Sequence, residues 1–226
     1  MTGSCEHAFP AHDLFLDLDG TLVDSSAGIL DTLAYVMKAQ GVTPRRAITR
    51  AQIGPPLRGL VEYALGDMPD RAMLAGLESA FREVYDREGY LQTKEYAGAT
   101  QALSALHGSG VVLHIVTNKR LAPTELIVKM LGWKSFFTSI RTLDSCARAA
   151  TKADVLRELL ASCPVSVPSG QPVRWFVGDT ADDCLAAQAN AIDFAWASWG
   201  YGLSDTLPVA ATHILGSPND LLRFMR

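Results

Sequence analysis

The strongest constraint on the fold is a pair of aspartates directly after a short apolar run near the start of the chain. Leu14-Phe15-Leu16 reads as a buried strand, and Asp17-Leu18-Asp19-Gly20-Thr21 follows it. Residues two apart in an extended chain point to the same side, so both carboxylates face one way. Gly20 breaks the strand and lets the backbone approach a ligand closely. Because like charges repel, the pair indicates a metal or another cation; an ordinary strand-to-turn junction is the less specific alternative.

Length and composition place the chain among soluble globular proteins. It has 226 residues, 48% of them hydrophobic and 19% charged, with a net charge of −4 and no basic run. We therefore expect neither nucleic acid nor a membrane as a partner. The first 13 residues lack the cationic and apolar regions of a secretory signal, and the four cysteines are scattered. Both observations favour a cytoplasmic protein.

After Thr21 the apolar spacing becomes that of helices. One helix is predicted from about residue 25 to 40, a short one begun by Thr43-Pro44, one over residues 57–65 and one over roughly 69–88. Residues 24–93 are therefore predicted to be all-helical.

Beyond residue 96 strand and helix patterns alternate. Strands are predicted near residues 111–116, 136–140, 173–177 and 194–197, with helices between them and a last helix begun by Ser217-Pro218. This alternation predicts an α/β fold, a parallel sheet with helices on both faces. We therefore predict a core domain of residues 1–23 and 94–226, and an inserted helical cap domain of residues 24–93.

Polar groups also follow two of the later strands. Thr117-Asn118-Lys119 ends one strand, where a hydroxyl and backbone N–H groups hold a phosphate oxygen well. Gly178-Asp179-Thr180-Ala181-Asp182-Asp183 ends another, and Asp179 and Asp183 lie four residues apart, on one helical face. Asp182 falls on a different face, and we expect it to be solvated. The plain alternative for both segments is a helix start.

Ligands bind beyond the carboxyl ends of the strands in such sheets, so these groups are expected to converge. Asp17, Asp19, Asp179 and Asp183 together form an oxygen-only cluster that suits Mg²⁺ and not zinc. Lys152 stands in the first turn of a predicted helix, where a cation is slightly unfavourable. It is either a solvated surface lysine or a cation for the cluster. Carboxylates, a divalent ion and one lysine together suit a phosphorylated substrate.

With these four motifs in order, the chain resembles the haloacid dehalogenase superfamily of hydrolases along nearly its full length. The insertion after the first motif is similar to the family's small helical cap. Three further stretches are similar to its phosphoglycolate phosphatase branch: Ile53-Gly54-Pro55-Pro56-Leu57, Tyr96-Ala97-Gly98 and Trp199-Gly200-Tyr201-Gly202. The resemblance implies a Rossmann-like core and a Mg²⁺-dependent phosphatase.

The resemblance also implies roles for single residues. Asp17 is expected to be the nucleophile that forms an aspartyl-phosphate. Asp19 is expected to protonate the leaving oxygen and then activate water. Thr117 is expected to bind the transferring phosphoryl group, and Lys152 to stabilise its charge. The expected Mg²⁺ ligands are Asp17, the backbone carbonyl of Asp19, Asp179 and Asp183.

The expected substrate-binding residues are Gly20, Thr21, Thr117, Asn118 and Arg58. Arg58, in the predicted cap, is included because an arginine there can reach a substrate carboxylate; a solvated helix arginine is the alternative. The expected partner is a small phosphorylated metabolite, and the protein is expected to be a monomer or a weak homodimer.

Two departures and three alternatives stay open at this point. The first departure is Lys119, which follows Thr117-Asn118 and is a common variant in the family. The second is that no proline follows Lys152, although one often does in the family. This second departure leaves the substrate open among phosphoglycolate, a sugar phosphate, a nucleoside monophosphate and pyrophosphate. A phosphosugar mutase of the same fold is disfavoured by Thr21, where those members carry valine. A haloalkanoate dehalogenase would lack Asp19. A non-catalytic phosphometabolite-binding protein is disfavoured by the intact motifs.

Overall fold

A parallel sheet of six strands forms the centre of the protein. The computed structural model describes residues 10–66, 70–146, 151–163, 172–203, 206–207 and 213–226. The strand order is β5-β4-β1-β6-β7-β8, and every neighbouring pair is parallel. These strands are β1 Asp13–Leu16, β4 Val112–Thr117, β5 Phe137–Thr142, β6 Arg174–Gly178, β7 Asp193–Ala197 and β8 His213–Leu215. The predicted Rossmann-like α/β fold is confirmed.

Helices cover both faces of the sheet, as the alternation of apolar side chains along β1 requires. Leu14 and Leu16 face one layer, whereas Phe15 faces the other. The first layer contains α4 Ala99–Gly108, α5 Leu121–Met130 and the 3₁₀-helix Pro218–Phe224; the second contains α6 Lys152–Ser162 and α7 Ala181–Ala189. Burial of β1 on both faces explains its unbroken apolar sequence.

Three helices lie between β1 and β4 and pack into a cluster of their own. They are α1 Ser26–Ala39, α2 Leu57–Leu65 and α3 Arg71–Arg87, with 3₁₀-helices at Arg50–Gln52 and Gly89–Gln92. Leu33, Val61 and Leu77 lie at the centre of this cluster. The two chain crossings to the core pair as a short antiparallel ladder of β2 Val23–Asp24 and β3 Lys94–Glu95. We propose that residues 24–93 form the cap domain and that this ladder is its neck.

The structure corrects the helix predicted after Thr43-Pro44. Residues 43–49 are not helical, and only a 3₁₀-helix, Arg50–Gln52, follows them. The backbone N–H groups of Arg45 and Arg46 donate instead to the carbonyl of Ala64, at 2.8 and 3.2 Å. That carbonyl lies at the end of α2, where it has no partner within its helix, so a tertiary contact outweighs the local preference.

Two further elements differ from the sequence prediction. The segment after Ser217 is a 3₁₀-helix with the expected cap, in which the Ser217 N–H donates to Asp220 Oδ2 at 3.2 Å. Strand β8 was not predicted because it has three residues and Ile214 at its centre is 57% exposed. Among the described residues, no helix combines the length and the apolar character needed to cross a membrane.

Candidate active site

The predicted motifs meet at one edge of the sheet. Strands β4, β1 and β6 are direct neighbours, so their carboxyl ends lie side by side. Thr117 ends β4, Asp17 follows β1 and Asp179 follows β6, while Lys152 begins α6. Side chains more than 130 residues apart in sequence form hydrogen bonds here, Lys152 with Asp17 and Thr21 with Asp179.

Lys152 is a buried cation shared by two carboxylates. Its Nζ donates to Oδ1 of Asp17 at 3.0 Å and to Oδ1 of Asp183 at 2.6 Å. The Lys152 side chain is only 2% exposed, so the surface alternative is wrong. The helix start itself is capped by Thr151 and Asp154, which offsets the unfavourable cation in the first turn. Its carboxylate partners keep the lysine charged and raise its pKa, although burial opposes this.

Asp179 is held by a cradle of three donors. Its Oδ1 accepts from Thr21 Oγ1 at 3.2 Å, and its Oδ2 accepts from the backbone N–H groups of Tyr201 and Gly202 at 2.6 and 3.3 Å. Burial raises the pKa of Asp179 to about 7, and the charge of Asp183 adds to this. Thr21 therefore contacts a carboxylate, and the structure does not place its hydroxyl toward the cavity above Asp17.

Gly20 is required by the position of Asp179. Its φ of +89° is in the left-handed region, and a Cβ there would lie 2.2 Å from Asp179 Oδ2. The sequence predicted that Gly20 lets the backbone come close to a ligand. In the structure, the group that comes close to Gly20 is the carboxylate of Asp179.

Asp17, Asp179 and Asp183 form a cluster that fits a divalent cation. One ligand oxygen from each lies within 4.8 Å of the others, and all three residues are buried. Burial raises the pKa of Asp17 well above its usual value; Lys152 opposes this, while Asp183 and Asp179 add to it. One lysine against three carboxylates leaves excess negative charge, and oxygen ligands of this kind suit Mg²⁺.

The oxygens of Asp183 already have partners. Oδ1 accepts from Lys152, and Oδ2 accepts from the N–H and hydroxyl of Thr180 at 2.9 and 2.6 Å. Asp183 therefore fixes Lys152 and the start of α7, and any metal contact adds to these bonds.

Asp19 is paired with Lys119, for which the sequence predicts no role. Lys119 Nζ donates to Asp19 Oδ2 at 2.9 Å and to Oδ1 at 3.2 Å, and it lies 4.7 Å from the centre of the Tyr85 ring. Ser25 Oγ donates to Asp19 Oδ1 at 2.6 Å. The only available signal was a cation directly after Thr117-Asn118. The contact with Tyr85 links the core site to α3 of the cap.

Asn118 joins the core to the cap. Its Nδ2 donates to the Gly54 carbonyl at 3.0 Å and to Asp182 Oδ2 at 2.7 Å. Asp182 is half-buried, so the expectation of a solvated acid is wrong. The reason is that Asn118, which follows β4, donates a hydrogen bond to Asp182. The spacing of residues within α7 cannot predict a contact with another strand end.

Arg50 fastens the cap from the opposite side. Its guanidinium donates to the Tyr96 hydroxyl at 2.7 Å and to the Trp199 carbonyl at 3.3 Å, and it lies 3.6 Å from Asp24 Oδ2. These contacts join the segment that carries Arg50 to residues of the core.

A cavity remains between the cap and the core. Asp17, Asp19, Thr117 and Asn118 line its core side. Arg58 is not among its lining residues: it pairs with Glu62 at 3.1 Å, and its side chain is 59% exposed. The structure therefore brings together the predicted core residues and leaves Arg58 outside.

Comparison with known proteins gives a consistent result. The sequence model of the family described as haloacid dehalogenase-like hydrolase matches residues 14–197. A phosphoglycolate phosphatase of Xylella fastidiosa is 33% identical over 224 residues, 94% of each chain. The tyrosine-protein kinase PtkA of Mycobacterium tuberculosis is 28% identical over 206 residues, 89% of this chain and 67% of that protein. A haloacid dehalogenase-like family hydrolase from Streptococcus pneumoniae superposes with a TM-score of 0.80 at 26% identity, covering 96% of this chain and 99% of that one.

Proposed function

The chain belongs to the haloacid dehalogenase-like hydrolases, and from this premise we propose that it is a Mg²⁺-dependent phosphatase that hydrolyses a small phosphomonoester through an aspartyl-phosphate on Asp17. The observation that carries the proposal is the position of Asp17. It is buried at the end of β1, faces the cavity, and contacts Lys152. The phosphoglycolate phosphatase relative supports the same reaction class.

The first half of the reaction transfers the phosphoryl group to Asp17. Lys152 holds Oδ1, and we assign the attack on phosphorus to Oδ2. The bond between phosphorus and the leaving oxygen breaks, and Asp19 delivers a proton to that oxygen. Thr117, on the core side of the cavity, is positioned to contact the phosphoryl oxygens.

The second half returns Asp17 to its starting state. The Asp19 carboxylate takes a proton from a water molecule, which attacks phosphorus and breaks the bond to Asp17. Inorganic phosphate leaves, and Asp19 is again protonated for the next cycle. Lys119 and Ser25 position this carboxylate through their hydrogen bonds.

Asp17, Asp179 and the backbone carbonyl of Asp19 would hold Mg²⁺, with Asp183 beside them. When bound, the ion would neutralise the excess carboxylate charge and draw negative charge from the phosphoryl oxygens. Thr21, Tyr201 and Gly202 keep Asp179 aimed at that position.

The test is to trap the phosphorylated enzyme. With 4-nitrophenyl phosphate the first half-reaction needs little acid assistance, so Asp19→Asn should release about one equivalent of nitrophenol and then stall. Intact mass and peptide mapping should place one phosphoryl group on Asp17. Asp31→Asn, an exposed aspartate on α1, should keep wild-type turnover and serves as the matched control.

Chelation supplies the second arm of the test. EDTA should abolish phosphate release, and added Mg²⁺ should restore it. Asp17→Asn should remain folded and inactive. Wild-type turnover by Asp17→Asn, or a phosphoryl group on a residue other than Asp17, would contradict the proposed function.

A further inference from the structure

The cavity over Asp17 has two walls of opposite character. The core wall carries the carboxylates, Thr117 and Asn118, where the phosphoryl group would lie. The cap wall faces it and is apolar apart from the buried hydroxyl of Tyr85. Its main side chains are Ile29, Ile53, Leu57, Leu60, Phe81 and Tyr85. A substrate that places its phosphate against the core wall therefore places its leaving group against the cap wall.

The side chains of the cap wall are largely withdrawn from solvent. Leu60 is 4% exposed, Phe81 6% and Tyr85 2%. The Phe81 and Tyr85 rings stack, with centroids 5.2 Å apart and planes inclined by 11°. The hydrogen bond from Asn118 to the Gly54 carbonyl closes the adjacent loop onto the core. The leaving group would meet a preformed apolar surface rather than water.

The cations at this cavity are already paired. Among the lining residues that the structure describes, Lys119 and Arg120 carry positive charge. Lys119 pairs with Asp19, and Arg120 donates to both oxygens of Asp86 at 2.5 and 2.6 Å. Arg58, the cap residue expected to meet a carboxylate, is paired with Glu62 outside the cavity. A second negative charge on the substrate would have to compete with Asp19 for Lys119 and with Asp86 for Arg120, so its burial here is unfavourable.

We propose that the substrate of this site is a phosphomonoester whose leaving group is uncharged and apolar, an aryl-methyl or alkyl alcohol, rather than a carboxylate such as glycolate. The inference rests on the proposed phosphatase function and adds the substrate class to it. Each methylene that the cap wall takes from water should raise kcat/KM about fourfold until the wall is covered.

The experiment compares kcat/KM for benzyl phosphate, an alkyl series (ethyl, butyl and hexyl phosphate) and 2-phosphoglycolate. All have alkoxide leaving groups, so the comparison reports binding more than intrinsic reactivity. We expect benzyl phosphate to exceed 2-phosphoglycolate by at least about tenfold, and the alkyl series to rise with chain length. A 4-carboxybenzyl phosphate should lose most of the benzyl advantage.

A charge placed in the cap wall should reverse the preference. Leu57 lines the cavity and is half-buried, so Leu57→Lys is expected to fold. It should raise kcat/KM for 2-phosphoglycolate and lower it for benzyl phosphate. Leu91→Lys is the matched control: Leu91 is 56% exposed, is not among the cavity-lining residues, and should leave both values unchanged.

The outcomes separate the two levels of the proposal. Asp17-dependent hydrolysis with 2-phosphoglycolate equal to or better than benzyl phosphate overturns the inference and leaves the phosphatase function intact. No Asp17-dependent release from any of these esters overturns the proposed function, and the inference with it.

Discussion

Replacement of Lys152 by methionine tests whether the carboxylate cluster depends on one buried cation. The Nζ contacts Asp17 and Asp183 at 3.0 and 2.6 Å. Two opposite unit charges 4 Å apart have an interaction energy of about 4 kcal/mol at the effective dielectric constant of such sites. Part of this is offset because the lysine itself no longer needs to be desolvated. Removing one partner of a buried pair therefore costs about 3–5 kcal/mol, which for a chain of this size lowers Tm by about 6–20 °C.

Thermal unfolding in EDTA and in Mg²⁺ measures this effect. In EDTA Lys152→Met should show the full loss, because three carboxylates then share no cation. Mg²⁺ should raise Tm more in the variant than in the wild type, since the ion supplies the missing charge. Adding Asp183→Asn to Lys152→Met should recover part of the loss by removing one negative charge. Lys134→Met, at an exposed position, is the control and should change Tm little.

The same variant should lose about 10²–10³-fold in kcat, the usual effect of removing one group that stabilises transition-state charge. A Tm within about 2 °C of the wild type in EDTA, together with retained kcat, would refute the reasoning. That result would mean that the cluster is neutralised in another way.

Three further outcomes are expected. Gly20→Ala places a Cβ 2.2 Å from Asp179 Oδ2 at a φ of +89°, so it should cost about 1–2 kcal/mol in backbone strain and weaken the Mg²⁺-induced rise in Tm; an undiminished rise would contradict the proposed metal position. Arg50→Ala removes two hydrogen bonds that fasten the cap, so hydrogen exchange in residues 50–57 should accelerate while global stability falls by less than about 1 kcal/mol; unchanged exchange would argue against the fastening role. Arg174→Met removes the donor 3.1 Å from Asp13 and should cost about 1–3 kcal/mol at pH 7. Burial raises the pKa of Asp13, but hydrogen bonds with His114 and, second, with Arg174 lower it overall. The part of this stabilisation that Arg174 supplies is therefore present above about pH 4 and is lost on acidification. The acid-unfolding midpoint of the variant should therefore move to higher pH. An unchanged midpoint would contradict the stabilising role of the contact between Arg174 and Asp13.

The sequence predicted the chemistry of the site where a polar residue directly follows an apolar strand. Asp17 and Asp179 each stand directly after an apolar strand, and that local rule places them at one edge of a parallel sheet. The place of Asp183 in the cluster followed from its spacing to Asp179, whereas the choice of Lys152 as the cation over a surface lysine followed from the family resemblance. The contact between Lys152 and Asp183 across 31 residues depends on how α6 and α7 pack, which no local pattern records.

The misplaced predictions share one cause, which is a competing partner, either nearby on the same helix or from a distant part of the chain. Arg58 has a carboxylate four residues away on its own helix and turns to it rather than to the cavity. Asp182 follows the rule for a solvated helix start until Asn118 reaches it from β4. The sequence predicts no role for Lys119 because its partner, Asp19, lies 100 residues earlier.

The sequence by itself determined the layered α/β architecture, the helices α1, α2 and α3 between β1 and β4, and the set of carboxylates, because apolar periodicity and strand ends are local properties. Only the tertiary structure decided which charges pair, that Gly20 makes room for Asp179, and that the cap presents apolar side chains to the cavity. The physical reason is that helix periodicity predicts which face of α2 and of α3 is apolar, but it does not predict what packs against that face. Whether Leu57, Phe81 and Tyr85 meet other cap helices or a substrate is set by the angle at which the cap closes on the core.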